Sequence, residues 1–207
     1  MKVAIASLTA LLALLPTAAR AATPEHLQQL LQTNNCPRCD LSDADLAGLD
    51  LDGANLQGAN LEGANLDDAQ LAEANLREAN LQHSSAIAAD FSNTRLTEAN
   101  LTRATLIQST FTDANLDRAN LSDANLMGAD CTGATFANAN LSRAFLSIAL
   151  LDRASLKGAS LERAELHGAT LERADLSHAD VTDANLKWAN LDGATLFGTN
   201  LRRAIVE

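Results

Sequence analysis

Two cysteines three residues apart, Cys36-Pro37-Arg38-Cys39, are the first groups in this chain whose type and spacing could do chemistry. Such a pair can close a disulfide, exchange with other thiols, or supply half of a zinc site. Zinc needs further Cys or His ligands close by, and only His26 is near in sequence. Thiol exchange of the thioredoxin type belongs to a βαβ setting, and the sequence shows none. Cys131 is left over as an odd third cysteine. The four histidines (His26, His83, His167, His178) are scattered, and none has a Ser, Cys or carboxylate partner at a recurring spacing. There is no Gly-rich phosphate loop. No catalytic residue, cofactor site or metal site is expected, and the chain reads as non-enzymatic.

The elements that carry these residues follow one rule. Positions 41, 46, 51 and so on to 201 form a column of 33 residues holding 27 Leu, Phe91, Phe111, Phe136, Ala86, Cys131 and Val181. Two residues upstream, the column from 39 to 199 holds 27 Ala, with Cys39, Leu49, Ser84, Thr94, Ser109 and Thr199 as exceptions. A period of five fits neither a helix at 3.6 nor a strand at 2. In an extended A-x-L triplet the Ala and the Leu point to the same side. The chain must then turn before the next Ala, so each unit is one short side and one corner, and many units wind into a coil. All ten glycines lie two residues after the Leu column, where a type II turn needs positive φ. At corners filled by Arg, Glu, Ile148 or Trp188, a turn without positive φ is expected. With aromatics at 3% and no Tyr, the core of this coil is built of Leu and Ala.

Units such as Ala54-Asn55-Leu56 and Ala119-Asn120-Leu121 resemble the pentapeptide-repeat family, whose unit reads A-[D/N]-L-x-x, and the resemblance spans about 80% of the chain. It implies an all-β, right-handed quadrilateral β-helix with four units per coil. The 33 units would make about eight coils, a rod on the order of 40 Å long at roughly 4.8 Å per coil. Residues twenty apart would then stack, giving an amide ladder from Asn60 to Asn140. They would also give a charged column through Arg103, Asp123, Arg143, Arg163, Asp183 and Arg203.

The chain divides into four parts. Residues 1–21 have a positive start, an apolar run from Val3 to Leu15 and Ala19-Arg20-Ala21, the layout of a signal peptide cleaved after Ala21. Residues 22–38 hold a capping helix, with Thr23 as N-cap and Pro24 at its first position, and the CxxC that leads into the coil. Leu27, Leu30 and Leu31 share a face that plugs the first coil. Residues 39–203 are the repeat, and 204–207 a short tail with no comparable cap. Extended backwards, the repeat puts Cys36 in the Leu column and Cys39 in the Ala column, both inward around one corner beneath the helix; in an exported protein the pair reads as a structural disulfide tying the plug to the coil, with a redox-responsive pair as the alternative.

Cleavage removes Lys2 and Arg20, leaving 13 basic against 26 acidic residues and a net charge of −13. Such a surface repels nucleic acid and anionic headgroups, and no segment of the mature chain is expected to span a membrane. The Leu-rich units, signal peptide and CxxC resemble exported members of the pentapeptide-repeat family, and that resemblance implies an interaction solenoid in the periplasm or thylakoid lumen, with an unidentified protein as partner. The resemblance also implies an alternative, the DNA mimicry of gyrase-interacting members, which the acidic charge suits and the signal peptide opposes. Open coil edges leave self-association, end to end or face to face, as a further expectation. The candidate interaction face comes from outward positions that break the polar rule. Eight carry large apolar residues, and six of them (Ile87, Ile107, Met127, Phe145, Ile148, Trp188) fall on one side when read modulo twenty; Leu150 and Phe197 do not.

Overall fold

The computed structural model describes residues 22–207; the expected signal peptide, 1–21, lies outside them. Parallel bridges join each outward middle residue to the one twenty further on, from Asn35↔Asn55 through to Asn185↔Ile205. Twenty residues are four units, so the chain closes one coil for every four corners and the sides form four stacks.

Backbone hydrogen bonding explains the five-residue unit. In Leu101–Thr105 every N–H has a partner. Leu101 donates to Asn120 O of the next coil (2.7 Å), Arg103 to Ser122 O (3.0 Å) and Thr105 back to Ser84 O (2.9 Å). Ala104 closes the corner onto Leu101 O (3.0 Å). The remaining N–H, that of Thr102, donates to Asn100 Oδ1 (3.2 Å). That last bond is the reason Asn and Asp dominate between Ala and Leu: their side chains take up the one corner N–H that the ladder cannot.

The corners correct one expectation. Ile148 (φ 54°), Trp188 (59°), Arg103 (57°) and Glu98 (62°) are left-handed like the glycines. Stacking is the reason. Positive φ turns the middle peptide of the corner along the rod axis, so that Arg103 N–H meets Ser122 O while Thr102 O accepts from His83 N–H (3.1 Å). The other turn type would swap these groups, breaking two bonds of about 0.5–1.5 kcal/mol each. It would also set carbonyl against carbonyl. The left-handed conformation costs a non-glycine residue about 1–2 kcal/mol, so the stack wins.

Leu and Ala columns are buried from Leu41 to Leu186 except at Leu49, which is partly buried, and the polar members of the Ala column are satisfied. Ser84 and Ser109 donate to the carbonyls of their own corners, at 2.8 and 2.7 Å, and Thr94 to Leu71 O at 2.8 Å.

Helix α1 (Pro24–Thr33) lies over the first coil. Pro24 at its first position removes one N–H that would lack a partner, and Asn34 ends it in the left-handed conformation with its N–H on Leu30 O (2.8 Å). Leu30 is buried and Leu27 partly so, whereas Leu31 is exposed over an open groove beside Leu49 and Leu51. The plug therefore covers only part of the coil. Polar groups hold it: Asp40 N–H donates to His26 Nδ1 (3.0 Å), Thr23 N–H to Asp40 O (3.3 Å), and Asn34 Nδ2 to Asp52 O (2.8 Å).

Cys36 and Cys39 are bonded, with Cα atoms 5.3 Å apart. The bridge does not tie helix to coil as expected; it closes a corner of the coil itself, with Pro37 and the left-handed Arg38 between the two cysteines. The first bridge, Asn35↔Asn55, already precedes it. A loop this short implies a modest contribution, about 2 kcal/mol by the chain-entropy relation. The double variant Cys36→Ser/Cys39→Ser should lose that amount, with faster amide exchange confined to the first coil. Exchange that rises equally along the rod would show that the bridge does more than close its own corner.

Candidate interaction face

The side whose units begin at Ala44, Ala64, Ser84, Ala104, Ala124, Ala144, Ala164 and Ala184 carries the sequence's apolar candidates, and the bridges Ser85↔Thr105, Thr105↔Asn125 and Asn125↔Phe145 establish its register. Ile87, Ile107 and Met127 stack in one outward column. Ile87 (37% exposed), Met127 (43%), Phe145 (50%) and Ile148 (59%) are open to solvent, while Ile107 is half-buried. Trp188 is more exposed still, at 70%, but stands apart. It packs on His167 (4.7 Å between centroids) and under Lys187 Nζ (4.8 Å), beyond a rung that carries Glu165.

Charge separates this side from the others. Between Ser84 and Ile148 its four rungs contain no Asp, Glu, Lys or Arg. Each of the other three sides carries five such residues over four matching rungs. This signal was available in the sequence by reading charges modulo twenty, and it adds Ser85, Thr105 and Asn125 to the face.

Two of its residues weaken the solenoid that displays them. Ile148 is β-branched and left-handed, a combination that is a genuine outlier for such side chains. The corners above and below it are Gly128 and Gly168, where an added Cβ would only reach ordinary contact with its side chain, at 3.9 and 3.5 Å. Phe145 replaces the Asn found at 65, 125 and 185 in its column, where each amide oxygen accepts a corner N–H. No protein group accepts the N–H of Ser147 among the described residues. Such an unpaired corner N–H recurs on the other sides, as at Asp152, Lys157 and Glu162, so the β-branched left-handed residue Ile148 is the feature that sets this side apart.

The remaining candidates do not assemble into a site. Among the described residues no group of three His, Cys, Asp or Glu could hold a metal. His26 serves the plug, His83 lies beside Gln82, and His178 meets the Phe197 ring edge at 5.4 Å. Cys131 is buried, which pushes its thiol far up in pKa and makes it inert. In the charged column, Arg143 pairs with Asp123 and Arg203 with Asp183, both at 2.6 Å. The hydrogen bond from Arg143 holds the Asp123 carboxyl below its ordinary range. Arg163 turns instead to its neighbour Glu162 at 3.7 Å, so the column is two pairs rather than a continuous ladder. The amide ladder is also interrupted once. Asn80 donates to Asn60 and Asn100 to Asn80 (3.1 Å each), but Asn120 donates to Thr102 Oγ1 (2.8 Å) before Asn140 resumes the pattern.

The family described as Pentapeptide repeats matches the chain in eight copies, over residues 39–77, 74–113, 114–151, 149–187 and 169–206. No curated protein matches significantly. Among solved structures, HetL, a pentapeptide repeat protein involved in heterocyst differentiation regulation from the cyanobacterium Nostoc sp., is 32% identical. That match covers 89% of this chain and 94% of HetL, with a TM-score of 0.48. QnrB1, a plasmid-mediated fluoroquinolone resistance protein, is 19% identical over 77% of this chain and 85% of its own, with a TM-score of 0.64. A pentapeptide repeat protein of the Arabidopsis thaliana thylakoid lumen is 30% identical over 42% of this chain and 61% of its own, with a TM-score of 0.42.

Proposed function

Because this chain belongs to the pentapeptide-repeat family, whose fold is a right-handed β-helix solenoid, we propose that it is a non-enzymatic interaction solenoid whose docking surface is the uncharged side between Ser84 and Ile148. The observation that carries this reading is the coincidence on one side of exposed apolar residues, absent charge and local strain at Ile148. The occupant is another protein that presents one uncharged, apolar ridge, such as the face of a single amphipathic helix. Size is the argument: four rungs at about 4.8 Å and one side of about 10 Å give a patch of about 200 Å². A stable dimer buries about 800 Å² per partner, so a second copy of the rod is too large an occupant for this strip alone. The proposal includes export to the periplasm or thylakoid lumen, supported by the signal-peptide layout of residues 1–21 and by the Cys36–Cys39 bridge. No helix among the described residues is long and apolar enough to cross a membrane.

The test is crosslinking capture in the native compartment with three forms of the protein. Phe145→Asn/Ile148→Asn should lose a partner that the unaltered protein recovers, and Arg143→Ala, on another side, should keep it. Ile148→Gly alone should raise stability by about 1 kcal/mol, relieving the left-handed strain, while still weakening capture. A partner retained equally by all forms would sink the face assignment. Mass spectrometry of the purified protein should find Ala22 as its first residue; Met1 there would remove the exported setting.

A further inference from the structure

We propose that the partner of the uncharged side is a helix lying along the rod axis for about three turns, with a basic edge toward Asp90, Asp113 and Asp130 and an acid facing Arg103. The docking side proposed above is the premise; what is added is the partner's direction, length and charge pattern.

Spacing selects a helix. Ile87, Ile107 and Met127 stack in one column at about 4.8 Å per rung, while one turn of a helix rises about 5.4 Å. One apolar residue per turn therefore meets one rung, and over three rung steps the two drift apart by only about 2 Å. An extended peptide returns to the same face every 6.6 Å, roughly, and loses the column within two rungs. At the fourth rung the apolar surface turns the corner. Leu150, which belongs to the next side, is 40% exposed and lies two residues beyond Ile148. Phe145, Ile148 and Leu150 thus form an exposed apolar row at one end of the strip, where the helix needs its bulkiest residues.

Charge fixes the edges. Asp90 and Asp130 come three residues after Ile87 and Met127, so they lie within about 11 Å of them, in reach of Lys or Arg on a helix about 10 Å wide. Over residues 89–93, 109–113 and 129–133 that next side has Asp90, Asp113 and Asp130 and no base. None of the three is in a salt bridge among the described residues. Asp90 and Asp130 accept only from their own corners, Ser92 N–H at 2.8 Å and Thr132 N–H at 2.9 Å among them, so their charge stays unneutralised. On the opposite edge Asp123 accepts from Arg143 with both carboxylate oxygens, at 2.7 and 2.6 Å. Arg103, in the same column, is left without a salt bridge among the described residues.

Two synthetic helical peptides of equal composition are the probes. Both carry one Leu per turn. The first has three Lys on one edge and one Glu on the other; the second has the same four charges on its outer face. Equal net charge removes the general attraction of an acidic rod for cations. Titration calorimetry at 0.15 M salt should show the first binding about tenfold tighter, narrowing to about twofold at 1 M salt. Asp90→Asn/Asp130→Asn keeps the corner acceptors, as Asn190 does in the same column (3.0 Å to Asp192 N–H), and should erase most of the preference with an unchanged melt. Arg103→Gln should weaken the first peptide about threefold. Phe145→Asn/Ile148→Asn should abolish binding of both. Equal affinities, a preference that survives Asp90→Asn/Asp130→Asn, or no binding of either peptide overturns the proposal. The docking side then stands or falls separately, by whether capture in the native compartment depends on Phe145 and Ile148. Peptide binding unaffected by Phe145→Asn/Ile148→Asn overturns both.

Discussion

Phe111→Ala should cost about 3–5 kcal/mol of stability, toward the upper end of that range. Phe111 is fully buried and stacks on Phe91 with ring centroids 4.8 Å apart and an interplanar angle of 2°. In most cores a deletion of this size is partly repaired by neighbours moving in. Here that route is closed, because the rungs are fixed by backbone bonds: Phe91 N–H to Thr110 O at 2.7 Å and Phe111 N–H to Asp130 O at 2.6 Å. Coils cannot approach to fill the void, so the transfer loss and the cavity loss both remain. Solenoid stability is distributed over neighbouring rungs and unfolding need not be two-state, so the measurement should pair urea unfolding with residue-level amide exchange. Exchange should accelerate most around Phe91, Phe111 and Cys131. A loss near 1 kcal/mol would show that the coil can collapse after all.

Ala124→Leu should be destabilising by about 1–3 kcal/mol, for the opposite reason. Ala124 is fully buried where a corner rejoins a side, with its N–H on Leu121 O and its carbonyl taken by Phe145 N–H. The chain itself shows how much that column admits. Within the closed coils the largest exception is Thr94, whose hydroxyl is bonded to Leu71 O. A Leu occurs only at position 49, in the first coil, where it is partly exposed beside the open groove. Extra methylenes at 124 would have to enter a space whose height the ladder sets. Ala124→Ser, by contrast, should be nearly neutral, since Ser84 and Ser109 donate to their own corners without disturbance. Thermal and urea unfolding of the two variants should separate by more than 1 kcal/mol. Equal stability would mean the column is not as tightly spaced as its backbone bonds imply.

The five-residue period and the inward Leu and Ala columns were legible in the residues because each unit repeats one local problem with one solution; the twenty-residue stacking came from the family resemblance, which implies four units per coil. Apolar residues two apart must share a side, and a corner must follow. The helix from Pro24 was legible for the same kind of reason, from a local cap and a local face. The corners were misjudged at Arg103, Ile148 and Trp188, since intrinsic preference at one residue argues against positive φ and only the neighbouring coils reverse that preference. The disulfide's place at one corner beneath the helix was legible by extending the repeat back to Cys36, and only its tie to the plug was not met, because Asn35 already belongs to the ladder.

On the candidate face, the apolar outliers could be assigned to one side by arithmetic alone. Which of them act together could not. Trp188 shares the side but is drawn to His167 and Lys187, a choice made by ring packing between adjacent rungs. The sequence by itself determined what is periodic, the unit and its inward faces, while the register of twenty was implied by the family resemblance and is set by the bridges between coils. Tertiary structure alone decided what depends on a neighbour one coil away, namely the hand of the non-glycine corner peptides and the break in the amide ladder at Thr102. The physical reason is that in a stacked coil each backbone group finds its partner twenty residues away, so conformation at a corner answers to the rung beside it before it answers to its own side chain.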